Sequence, residues 1–265
     1  MAMQPEPPPY EDAAPVRRVR GGWRLGLTLV GLIVGVAGLA ASAAGVSAQL
    51  LPRKFTPAQQ QRIMAWETEG RWRTMSAGKI FPDSVTYQLP GTSFATSNEL
   101  PLVARRVGIA KQATCAAASD PAAAKVLSTD RCAAILRATY ADETDSMLVT
   151  VGVAVMPSNA AAKSAASQLS SGRQRHPGVR VAPFHSTLAG QFTNRQRQLS
   201  WSVSEGPYLI LSTAGYSDGR PHVQESSDAY ADQEMTRFAN GVADAIGTPL
   251  GALPPSPHCP GGPGC

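Results

Sequence analysis

The chain has 265 residues, 43% of them hydrophobic and 16% charged, and carries a formal net charge of +5. Removing the four arginines and three acidic residues of the first 24 positions from the totals of 24 and 19 leaves about four excess positive charges on the remainder. That mild surplus suits anionic wall polymers or lipid headgroups, and it does not point to nucleic acid.

Residues 1–24 open with a proline-rich, acidic run that has nothing to bury, and this tail is expected to be disordered. Pro7, Pro8, Pro9 and Tyr10 spell a PPxY-like string, for which the proline bias of the tail is the simpler account. Residues 25–51 contain no charged side chain and follow Arg17, Arg18, Arg20 and Arg24. A helix crosses the hydrocarbon layer with roughly 20 mostly apolar residues, and the arginine-rich side stays in the cytoplasm. The reading is therefore a cytoplasmic tail, a transmembrane helix at 25–51 and an extracytoplasmic domain at 52–247, with a flexible Pro/Gly/Cys tail at 248–265. The lipid bilayer is then the first partner. A cleaved signal peptide is the rival, with small residues at Val46 and Ala48 or at Ala41 and Ala43. The apolar run exceeds the roughly 7–15 residues of a usual signal core, which favours the anchor.

Thr56 and Pro57 form an N-cap and first-turn pair, so a helix is expected from there to about residue 75. Ile63, Trp66, Gly70 and Arg73 share one stripe of it. Docking of Ile63 and Trp66 on the core is the expectation, and contact of Trp66, Trp72, Arg62, Arg71 and Arg73 with a membrane surface is the alternative. Strands follow at 84–89 and, after a turn-rich link, at 105–115. Asp120 and Pro121 start a short helix to residue 127. Strands 132–140 and 147–156 form a hairpin around ADETD, and Ser158 caps an alanine-rich helix that stops at Gly172. A second hairpin, 198–204 with 208–216, precedes a helix at 228–246 whose inner face carries Phe238, Val242 and Ile246.

Two strand–strand–helix units thus stand in tandem, at 132–171 and 196–247. They predict an α+β fold, one antiparallel sheet with helices on one face. Val149, Val151, Val153 and Val155 line one face of their strand, while Thr150, Gly152, Ala154 and Met156 line the other. A strand that is apolar or small on both sides belongs at the centre of the sheet, with helices over one face and something else over the other.

Four cysteines, all beyond residue 51, fit an oxidising compartment. Cys115 and Cys132 lie in folded sequence and are expected to pair, closing a loop of a size for which chain entropy gives about 3 kcal/mol. Cys259 and Cys265 lie in the terminal tail, and their state is left open. Paired CxxC or HxxxH spacing is absent, so no metal or cofactor is expected.

Candidates for chemistry are few. His258 lies in the tail, His176 in the basic loop RQRHPGVR, and His185 beside Phe184 at a strand edge. His222, with Ser186 and Asp218, offers the parts of a hydrolytic triad, but no GxSxG elbow accompanies them. Asp142, Glu143 and Asp145 lack the length and central glycine of a calcium loop and read as a charged, solvated turn. Arg173, Arg175 and Arg180 are candidate contacts for an anionic ligand, and no catalytic residue is assigned.

The stretches RKFTPAQQQRIMAWETEGRWRTMSAGKIFPDSVTYQL and RCAAILRATYADETDSMLVTVGVAVMP resemble an uncharacterised group of actinobacterial single-pass membrane proteins with an extracytoplasmic α+β domain. The resemblance covers roughly residues 17–247. It implies an envelope location and brings no catalytic residue with it. The expected function is a non-enzymatic domain that binds an envelope protein or an anionic wall polymer. An envelope-polymer hydrolase and a structural subunit of a membrane complex are the alternatives.

Overall fold

Thr56 closes a capping box around the first helix: its hydroxyl accepts the Gln59 N–H at 3.3 Å, and the Gln59 side chain accepts the Thr56 N–H at 2.9 Å. With Pro57 in the first turn, this starts α1, Pro57–Thr74. The computed structural model describes residues 55–87, 101–170, 177–222 and 229–257, which belong to one compact unit, Phe55–His258. The expected membrane span at 25–51, Arg173, Arg175, His176, Cys259 and Cys265 lie outside the described residues. Among the described residues no helix is long and apolar enough to cross a membrane.

The face of α1 that docks differs from the expected one. Trp66 is 65% exposed, whereas Thr68 is buried and Trp72 packs against the core. Thr68, Trp72 and Met75 follow helical spacing, and the hydroxyl of buried Tyr208 explains why this stripe wins. Tyr208 donates to the Thr68 carbonyl at 2.6 Å and accepts the Trp72 N–H at 3.3 Å, bridging one rung of the helix ladder. Ile63 and Trp66 are turned away from that contact.

After α2, Ala77–Ile80, the remaining elements in chain order begin with strands β1, Ser84–Tyr87, and β2, Leu102–Ile109. Next come helices α3, Cys115–Ala118, and α4, Pro121–Thr129, and the hairpin of β3, Ala134–Ala141, and β4, Met147–Val155. Helix α5, Asn159–Ser170, leads to the second hairpin, β5, Arg197–Glu205, and β6, Tyr208–Tyr216, and the chain closes with α6, Ala229–Gly251. The sheet has six strands in the order β1-β2-β3-β4-β6-β5, every neighbouring pair antiparallel. Both tandem hairpin–helix units are present, and they join through β4 and β6, with Val151 opposite Ser212. Every residue of β4 is buried, as its two-sided apolar pattern requires.

The helices cover both faces, which corrects the expectation of one helical face. The odd-numbered valines of β4, with Tyr208 and Ile210, pack against Phe238, Val242 and Ile246 of α6. Ala154, Leu209 and Leu211 point the other way, into Ala162, Ala165 and Leu169 of α5 and Ala123 and Leu127 of α4. The physical reason lies in β4 and β6 themselves. Both are buried along almost their whole length, so neither face can be left to water.

Part of the second face is closed by an extended segment between α5 and β5. Sheet hydroxyls hold it down: Thr213 donates to the Val179 carbonyl at 2.7 Å and Thr139 to that of Ala182 at 2.8 Å. Thr150 accepts the Ala182 N–H at 3.2 Å. Gly152 makes the approach possible, because a Cβ there would lie 2.8 Å from Val179 Cγ2. Asp120, bound by Arg197 in a largely buried ion pair, accepts the Gly178 N–H at 3.0 Å.

Two boundaries differ from expectation. Strand β2 ends at Ile109 rather than near residue 115, and its register shifts between Arg106 and Gly108; the Phe184 ring lies where a Cβ on Gly108 would be, 2.6 Å away. Cys115 therefore opens α3, under the Thr114 cap, instead of ending a strand. The last helix runs past Ile246 to Gly251, through the positions where the flexible tail was expected to begin. Leu250 is buried there, and the Arg71 guanidinium lies 3.0, 2.8 and 2.6 Å from the carbonyls of Pro249, Leu250 and Ala252. A cation on carbonyls that lack helical partners stabilises a helix end.

Candidate functional site

Cys115 and Cys132 are joined, with 6.2 Å between their Cα atoms. The bond links the start of α3 to the residues just before β3, and both connected pieces support one cationic site. Ala118, the last residue of α3, accepts the Arg180 N–H at 2.7 Å, and Ser119 bridges Val179. Arg180 is thereby set beside β3 with its side chain exposed. Arg137, on β3, donates from its guanidinium to the Arg180 carbonyl at 3.0 Å.

Arg137 lies mid-strand on the face of Ile135 and Thr139, opposite Gly152 on β4. Its Nε is buried and has no hydrogen-bond partner. Among the described residues neither Arg137 nor Arg180 forms an ion pair. Burial, followed by the charge of Arg180, pushes the Arg137 guanidinium below its usual value. Asp120, on the neighbouring segment, is paired with Arg197. Two guanidinium charges thus lie together with no counter-charge among the described residues. Of the three arginines read from the sequence, Arg180 is placed in this site, and Arg173 and Arg175 lie outside the described residues. Arg137 does not stand out in the sequence, where it is one polar position in a strand. Its signal was a charge on a face that otherwise alternates toward the core.

A second feature lies on the α6 side of the sheet, where α1 turns into α2. A cavity of about 210 Å³ is lined by Trp72, Met75, Ile80, Phe81, Ile109 and Leu136, with Gln112 adding an amide. No sequence pattern marks it, since its walls come from four elements.

The triad candidates are not joined. Ser186 is exposed, with φ of 63°, in the left-handed region that a serine seldom adopts. Asp218 is bound by Arg220, whose hydrogen bonds hold its carboxyl below the usual range. His222 donates its backbone N–H to Arg195, its Nδ1 is buried without a partner, and His185 is exposed. Among the described residues no hydrogen bond connects Ser186, His222 and Asp218, and no group of three or more His, Cys, Asp or Glu side chains is placed to hold a metal ion.

The ADETD turn departs from expectation at Asp142, which is buried rather than solvated. It accepts the Met147 N–H at 2.6 Å, the Thr144 N–H at 3.2 Å and the hydroxyls of Thr144 and Ser146. An aspartate that satisfies its own turn in this way has a structural role. Asp145 pairs with Arg105.

Comparison of the chain with known protein families, with curated proteins and with solved structures found no match.

Proposed function

We infer that this protein is a membrane-anchored, extracytoplasmic, non-enzymatic binding domain of the cell envelope, and that it holds an anionic envelope polymer at Arg137 and Arg180. The observation that carries the reading is the pair of arginines lacking any carboxylate partner among the described residues, one of them with a buried, unpartnered Nε. A half-buried cation without a counter-charge is costly, and a phosphodiester or carboxylate would supply the charged acceptor that is absent among the described residues. The Cys115–Cys132 bond supports an oxidising compartment. The charge-free run at 25–51 behind four arginines supports the anchor and its orientation.

Binding of a glycerol-phosphate oligomer to the purified full chain tests the reading, followed by calorimetry at two salt concentrations. Affinity should fall as salt rises. Arg137→Met, which keeps the apolar stem, and Arg180→Ala should each weaken binding by about tenfold or more, the usual scale for a lost charged hydrogen bond. Arg220→Ala, which removes an exposed arginine already paired with Asp218, should leave it unchanged. Equal affinity in all four proteins would overturn the site.

A further inference from the structure

We propose that two copies of this chain pair through the outer edge of β5, antiparallel and centred on Trp201, so that one sheet runs across both. Strand β5 ends the sheet order, with β6 on one side and no strand on the other among the described residues. It is nine residues long. From Leu199 to Ser204, no hydrogen bond outside the β5–β6 ladder reaches its backbone among the described residues.

The ladder fixes which groups face outward. Met156 donates its N–H to the Pro207 carbonyl at 3.0 Å, so Tyr208 turns the other way and pairs with Glu205. Alternation along an antiparallel strand then aims the N–H and C=O of Ser200, Ser202 and Ser204 away from β6. Such a row is a template for another strand, and edges that avoid pairing carry lysine, proline or an inward charge. Strand β5 has none of these between Arg197 and Glu205.

The sequence of β5 also indicates which strand fits. Leu199, Ser200, Trp201, Ser202 and Val203 read nearly alike in both directions, as a two-fold antiparallel pair of identical strands requires. Centred on Trp201, the pair sets Ser200 against Ser202 of the second copy as hydrogen-bonded partners. Leu199 then faces Val203, and Trp201 faces its own copy at a non-hydrogen-bonded position, where side chains come closest. Trp201 is 40% exposed, and Leu199 and Val203 are only partly buried, so all three have apolar surface to lose to a partner. Moving the centre to Ser202 would set Leu199 against Glu205 instead, which favours the first register. The pairing is independent of the Arg137–Arg180 site, since β4 and β6 separate β3 from β5.

The test measures the mass of the purified full chain in detergent by light scattering over a concentration series, with amide exchange followed by mass spectrometry. A dimer is expected, and exchange at 199–204 should slow as it forms. Trp201→Lys sets like charges opposite each other, and Ser202→Pro removes an outward N–H that the β5–β6 ladder does not use. Each should raise the dimer dissociation constant about tenfold or more, the scale of a lost interface anchor. Trp66→Lys, at an exposed position of α1, should leave it unchanged. Trp201→Lys decides the matter if the proline variant does not fold. A parent that stays monomeric at high concentration overturns the proposal. So does a dimer that Trp201→Lys leaves intact, or one that slows exchange at 25–51 and not at 199–204. Slow exchange at 199–204 in the monomer would show an edge already covered by the chain itself, and overturns it too.

Discussion

Tyr208 and Asp244 show how single side chains on the α6 face trade burial against polarity. The Tyr208 ring is fully buried, and its hydroxyl is satisfied by giving one hydrogen bond to α1 and taking another from it. Burial raises its pKa, so the phenol stays protonated and can donate. Asp244 is exposed on α6, and the partial burial of its carboxyl pushes it above the ordinary value of 3.8. Glu205, at the end of β5, is raised by burial first and by the charge of Asp244 second. A carboxyl with a raised folded-state pKa binds its proton more tightly when the chain is folded. The stability it contributes is therefore complete below the unfolded value and declines as pH climbs through the folded one. Asp244→Asn removes that decline. Its melting temperature should match the parent near pH 3.5 and exceed it at pH 7, by only ~1 °C because the group is partly solvated. Thermal scans at the two pH values check this, and a lower melting temperature for the variant at pH 7 would refute it.

Among the elements, the extended segment from Gly178 to Ala182 depends most on a single position elsewhere. It lies on β4 only because Gly152 has no side chain, and Val179 fills the space above it. Gly152→Ala puts a methyl group 2.8 Å from Val179 Cγ2. Overpacking of this kind costs about 1–3 kcal/mol. Adding Val179→Ala removes the atom that clashes, so the double variant should be more stable than the sum of the two single losses predicts. Urea unfolding of the four proteins measures the coupling, and strict additivity would show that Val179 does not bear on Gly152. The same scale explains the α1 result. Its exposed stripe contains Trp66, and hydrophobicity alone would have buried it. The helix instead turns toward the Tyr208 hydroxyl, a partner that no pattern within α1 announces.

For the molecule as a whole, the Cys115–Cys132 bond joins the two pieces of chain that support the cationic site. Replacing both cysteines by serine should cost about 3 kcal/mol, near 6–12 °C in melting temperature for a domain of this size. It should also weaken the binding that depends on Arg137 and Arg180, because Arg180 is held by α3 and Arg137 follows Cys132 in β3. Unchanged stability in the double-serine protein would remove the bond from the account of the fold. Much of this architecture was legible from residues near one another in the chain. The Thr56 cap, the two hairpins, the central place of β4 and the inner face of α6 all follow from local spacing, and the cysteine pairing from a short loop in folded sequence. Which face each helix covers was not legible, because α5 and α6 leave their hairpins by loops whose sequences carry no handedness. The candidate sites were less legible still. Arg180 was singled out for charge alone, while its neighbour Arg137 and the cavity walls come from segments distant in sequence. The sequence by itself determined the elements and the character of their faces, since periodicity and capping act over a few residues. Only the tertiary structure decided which cations lie together with no counter-charge among the described residues and where side chains leave space between elements, because both depend on contacts between segments that no short-range pattern encodes.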